Sequence, residues 1–178
     1  MSYIGYVPAA KPLTSADITD GIITNADIAS GAAIAQSKIS GSFGKVLQVV
    51  TATDLTQRTT TSTSFVTGSN TLSVSITPSS TSNKIFLTAT TCGQGESGVA
   101  GAYYTIYRGA TNLGNGTLGM QRAASASEGT VAISYLDSPS TTSSTTYQVY
   151  FRLAGGSGSA SLNLTSITAS ITAFEIAG

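Results

Sequence analysis

With 178 residues, no net charge, no histidine and a single cysteine, the chain has room for one compact domain and a short appendage, and lacks the residues on which the usual catalytic triads and zinc sites are built. Charged residues make up only 9% of it, and the eight cations (Lys11, Lys38, Lys45, Arg58, Lys84, Arg108, Arg122, Arg152) are scattered, which argues against nucleic acid as a partner because that binding runs on clustered positive charge. The polar surface is hydroxyl instead: 27 Ser and 28 Thr, beside 19 Gly for turns and strand-favouring Val, Ile and Tyr, point to an all-β fold whose copies carry little charge to keep them apart.

The opening residues, MSYIGYVPAAKPLTSAD, have neither the basic start nor the apolar run of a secretory signal, and no stretch approaches the roughly 18 apolar residues of a membrane span. Cytoplasmic synthesis without membrane insertion is the expectation. Residues 1–14 carry Tyr3, Ile4, Tyr6 and Pro8 with no helical or strand period, and so read as an extended arm. Such an arm is either a disordered terminus or, in the sharper reading, a peg that lies in a groove of a larger assembly.

Residues 15–42 hold an internal repeat, ADITDGIITN followed by ADIASGAAIA. Apolar side chains recur about every five residues at Ile18, Ile23, Ile28, Ile34 and Ile39, a spacing that suits neither a helix nor a flat strand. One chain with so few isoleucines cannot bury them alone. Several copies wound about one axis can, so the segment is read as an intertwined fibre shaft; a turn of solenoid and a flexible linker are the alternatives. Asp17, Asp20 and Asp27 would form acidic rings in such a shaft, but solvated turn caps are the expected role, and no metal or cofactor is assigned.

Residues 43–178 read as about eight short strands divided by Ser, Thr, Gly and Pro clusters, the signature of an antiparallel sandwich or jelly roll. Leu72, Val74 and Ile76 share one face of LSVSITP, and Ile85, Leu87 and Ala89 one face of KIFLTAT. Gly109-Ala110-Thr111-Asn112 reads as a hairpin turn, and Cys92 as a buried small hydrophobe on a strand. The last stretch has apolar residues on both faces, Ile167 and Ile171 against Phe174 and Ile176. A terminal strand of that kind fits the axis of a trimer, or else carries a β-bulge that flips its phase.

The phrases MSYIG, LTSADITDGIITNADIASGAAIAQSKIS, SVSITPSSTSNKIFLTAT, YYTIYRGATNLG, SYLDSPSTTSSTTYQVYFR and ITAFEIAG give the chain a resemblance, over nearly its whole length, to structural proteins of tailed bacteriophages, those of marine and freshwater phages including cyanophages above all. The resemblance implies a homotrimer with an N-terminal segment fixed to other virion proteins of the capsid or tail, and a head similar to the jelly rolls of the tumour-necrosis-factor and complement types. It implies no catalytic residues. Tyr3, Ile4, Tyr6 and Pro8 would then be the virion anchor, and Ile167, Ile171, Phe174 and Ile176 the trimer interface of the head.

The expected function is that of a non-enzymatic head or tail fibre located in the virion, with a host surface glycan as a candidate ligand. A capsid decoration protein without a receptor is the first alternative. A glycan-degrading enzyme is the second, resting on a pair among the acids Asp54, Glu96, Glu128, Asp137 and Glu175. Tyr103, Tyr104 and Tyr107 are candidates to line a sugar site, and segments 93–101, 122–129 and 154–160 are the candidate contact loops.

Overall fold

The computed structural model describes residues 46–95, 98, 101–164 and 167–178, together with Thr14, Thr24, Ala26, Ile28 and Ala32. The chain divides into two units, Met1–Gly41 and Ser42–Gly178. In the first, Tyr3, Ile4, Tyr6 and Pro8 of the expected anchor and Ile18, Ile23, Ile34 and Ile39 of the expected shaft lie outside the described residues, while Ile28 is described and 40% exposed.

The described part of the second unit is built of strands, eleven in all: β1 (Val46–Asp54), β2 (Arg58–Thr60), β3 (Ser73–Ile76), β4 (Lys84–Gly95), β5 (Ala102–Arg108), β6 (Thr111–Asn112), β7 (Gln121–Ala123), β8 (Gly129–Asp137), β9 (Thr145–Leu153), β10 (Ala160–Leu162) and β11 (Ala169–Ile176). They form two antiparallel sheets. In the first, β4 pairs β8 on one side and both β11 and β10 on the other; β1 then pairs β11, and β2 pairs β10. In the second, β9 lies between β3 and β5, and β5 carries β6 and β7 along its far edge.

Inward side chains of both sheets meet in one core, which makes the unit a sandwich. Leu72, Val74 and Ile76, and Ile85, Leu87 and Ala89, are buried as their alternation requires. Arg108 pairs with Thr111 around a two-residue turn in which Gly109 has φ +54°, so the expected hairpin is present. In the middle of the core the rings of Tyr104 and Phe151 stack 6.3 Å apart, and the Tyr104 hydroxyl donates to Ser161 O. Gly93 faces that hydroxyl from β4. A Cβ there would lie 2.3 Å from it, so the stretch GQG is strand backbone thinned to admit a tyrosine.

Two expectations change. Strand number rises from about eight to eleven because strands are interrupted, β10 and β11 running along successive parts of the long β4. The interruption sits at Asn163, which adopts φ +57° and donates from Nδ2 to Asp54 O, 2.8 Å away at the end of β1. Cys92 is not in the core: on β4 it shares the outward parity of Phe86 and is only partly buried.

Candidate functional site

A row of apolar side chains crosses the outer face of the first sheet. Register places Val49 of β1 beside Phe174 of β11, Phe174 beside Phe86 of β4, and Phe86 beside Leu136 of β8. Val49 is 54% exposed, Phe86 36% and Leu136 55%, and the Phe86 and Phe174 rings stand 6.2 Å apart. Val46 of β1 and Ile176 of β11 pair in the next row along the strands, which ends on Lys84 of β4. Below it lie rows of hydroxyls: Thr51, Thr172, Thr88 and Ser134, then Thr53, Ser170 and Thr90 beside Ala132. Lys84, at the corner by Ile176, carries the one charge among these outward positions, and its Nζ donates to Ser138 Oγ at 2.8 Å.

A sheet face needs one buried side and one wet side, and the wet side ordinarily carries ions. Here it carries rings, aliphatics and neutral hydroxyls. Covering the exposed half of each apolar side chain is worth about 1 kcal/mol per residue. The hydroxyls lose little on burial when a partner hydroxyl faces them, as Thr51 and Thr172 already do within the sheet.

Of the four residues expected at a head interface, Phe174 and Ile176 lie on this outer face. Ile171 does not: it points into the sandwich with Ala169, Ala173 and Glu175, and at 0% exposure has no surface left to offer another subunit. Ile167 precedes β11 and is 54% exposed, outside the strand register altogether. The two-sided apolar pattern therefore reflects a core face and an outer face of one central strand. The outward prominence of Val49, Phe86 and Leu136 was not picked out from sequence, although their parity opposite Val50, Leu87 and Tyr135 was the signal.

Three of the candidate carboxylates are placed for structure, while Glu128 is exposed. Glu175, 1% exposed, accepts hydrogen bonds from Gln48 Nε2 (2.8 Å), Ser79 N (2.6 Å), Ser79 Oγ (2.8 Å) and Asn83 Nδ2 (2.6 Å). Burial alone would raise its pKa; the four donors outweigh burial and hold it at about 2. Asp137 accepts from Arg108 Nη1 (3.0 Å) and from the Tyr147 hydroxyl (2.7 Å), and burial followed by that carboxylate pushes the Tyr147 hydroxyl far above its usual range. Asp54 binds Thr71 N, Thr56 N and Arg58, which together lower its pKa against the raising effect of burial. These three acids thus serve three separate networks, each with its own donors; Glu96 lies outside the described residues. Among the described residues no group of three or more His, Cys, Asp or Glu is assembled to hold a metal ion.

The candidate sugar-site tyrosines divide. Tyr104 is fully buried in the core, whereas Tyr103 and Tyr107 lie on the outer face of the second sheet. Of the candidate loops, 93–95 is the end of β4, 122–123 belongs to β7 with Gly129 opening β8, and 154–159 runs between β9 and β10, which Ala160 opens. No protein-family model matches the chain, and no curated protein is detectably similar to it.

Proposed function

We propose that the protein is a non-enzymatic structural protein of a tailed-phage virion, a short homotrimeric fibre in which residues 1–14 anchor to other virion proteins, 15–42 form the shaft and 43–178 form a jelly-roll head. The observation that carries this reading is the outer face of the first sheet, charged only at the Lys84 corner among the positions described, with its row Val49, Phe174, Phe86 and Leu136, a surface suited to copies of itself. The isoleucine repeat supports it independently, since it too is unsatisfied in a single chain.

The strand pairings support the jelly roll. Taking β1 with β2, β6 with β7 and β10 with β11 as interrupted strands leaves eight. The first then pairs with the last, the second (β3) with the seventh (β9), the third (β4) with the sixth (β8), and the fourth (β5) with the fifth. Nested pairing of this kind, divided between two sheets, is what rolling up one long antiparallel hairpin produces.

Light scattering on the purified full-length chain tests the proposal. Three chain masses are expected. Phe86→Glu or Leu136→Glu, each at an exposed position, should yield folded chains of lower mass with unchanged far-ultraviolet circular dichroism. A wild-type monomer, or variants that stay trimeric, would remove the basis of the fibre reading. A capsid decoration role without a receptor is separated by deleting the head and measuring adsorption to host cells, which a decoration protein leaves unchanged.

A further inference from the structure

The outer face of the second sheet carries a cleft of about 420 Å³, open to solvent, between segment 63–65 and the turn 116–117. Its floor is aromatic. Tyr107 stacks on Tyr150 with ring centroids 4.0 Å apart and meets Phe65 edge-on at 6.3 Å. Its walls are short and polar, with Thr63 and Ser64 on one side and Thr117 on the other, all exposed.

One side chain ties the walls together. Arg152 of β9, 8% exposed, donates from Nη1 to Thr63 O (3.1 Å) and Leu153 O (2.9 Å), and from Nε (3.0 Å) and Nη2 to Thr117 O. Its guanidinium lies over Tyr103 at 4.7 Å and against Phe65 at 5.4 Å. The turn it grips is rigid in its own right. Asn115 and Gly119 exchange backbone hydrogen bonds, Asn115 Oδ1 accepts from Thr117 N and Leu118 N at 2.9 Å, and Gly119 supplies the φ of +65°. The cleft is therefore formed before any ligand arrives, which lowers the cost of binding.

Arg152 has carbonyls and rings around it and no ion-pair partner among the described residues. A buried cation without a counter-charge gains from an anion brought to its open side. A pyranose ring offers one apolar C–H face and a rim of hydroxyls, and suits a ring floor with hydroxyl walls. From these features together we infer that the cleft is a saccharide-binding site that favours a sugar bearing a carboxylate, the sugar ring on Tyr107, its hydroxyls toward Ser64 and Thr117, and its acid toward Arg152. The site is complete within one chain, so it does not rest on the trimer; in a trimer it would occur three times, and weak sites would add by avidity.

Saturation-transfer NMR on the full-length protein with methyl α-D-glucuronide and methyl α-D-glucoside tests this. The glucuronide should bind saturably at millimolar concentration, and the glucoside about tenfold more weakly, for want of the charge-assisted contact. Tyr107→Ala should weaken glucuronide binding by about tenfold through loss of the ring platform. Ser64→Tyr, at an exposed rim position, should block the cleft in a chain whose fold and oligomeric mass are unchanged. Absence of binding by either sugar, or binding indifferent to both variants, overturns the site. Equal affinity for the two sugars overturns the role given to Arg152. Neither result bears on the oligomeric mass, so the fibre proposal stands or falls separately.

Discussion

Glu175 shows how one residue fixes the end of the chain. The last inward position of β11 faces the turn after β3, and its carboxylate collects donors from Gln48, Ser79 and Asn83, so β1, β11 and that turn are pinned at a single point. The folded state prefers the ionised form, so this stabilisation is complete above the ordinary carboxyl pKa of 4.5 and is lost as pH falls toward about 2. Urea midpoints measured from pH 6 to pH 2.5 should therefore decline most steeply below pH 4.5. Glu175→Gln should lower stability by about 2–3 kcal/mol at pH 7, because its amide presents donors to donors, and should flatten that acid limb. A variant with the wild-type acid limb would show that the four hydrogen bonds do not govern it.

At the scale of the strand, legibility depended on whether inward positions were apolar. β3 and the first half of β4 follow strict alternation, so Leu72, Val74, Ile76, Ile85, Leu87 and Ala89 were assigned to the core from sequence. In β11 the two faces are legible, Ile171 opposite Phe174 and Ile176, but not which of them meets the core, since an inward acid and two inward alanines break the apolar pattern while Phe174 and Ile176 supply it on the outer side. Periodicity detects burial only through apolar identity, and a carboxylate buried by hydrogen bonds is invisible to it. The break between β10 and β11 was hidden for a related reason: it sits at Asn163, whose left-handed backbone and bond to Asp54 O depend on a residue more than a hundred positions away. Asn163→Ala should cost about 2 kcal/mol, combining a lost buried hydrogen bond with a strained φ, and Asn163→Gly about half as much, since glycine accepts that φ freely. Equal losses in thermal or urea unfolding would mean that the backbone conformation contributes nothing to the break.

For the whole molecule, the two outer faces of the sandwich have opposite chemistry, and each face limits what can cover it. The first sheet offers apolar and hydroxyl side chains with Lys84 at a corner; the second offers tyrosines around a buried guanidinium. In the proposed trimer the first face turns toward the threefold axis, where any charge placed near its centre is brought close to two copies of itself. At about 8 Å and an effective dielectric near 20, each pair of unit charges repels by about 2 kcal/mol, three times over in a trimer. Thr88→Lys, in the middle of the hydroxyl rows, should accordingly shift the full-length chain toward monomer, with the shift reversed by raised salt. Thr146→Lys, equally conservative in size but exposed on the outer face of the second sheet, should leave the mass at three chains. Dissociation by Thr146→Lys alone would place the interface on the other face and put the saccharide cleft within it, and dissociation by both would overturn its assignment to the first face alone.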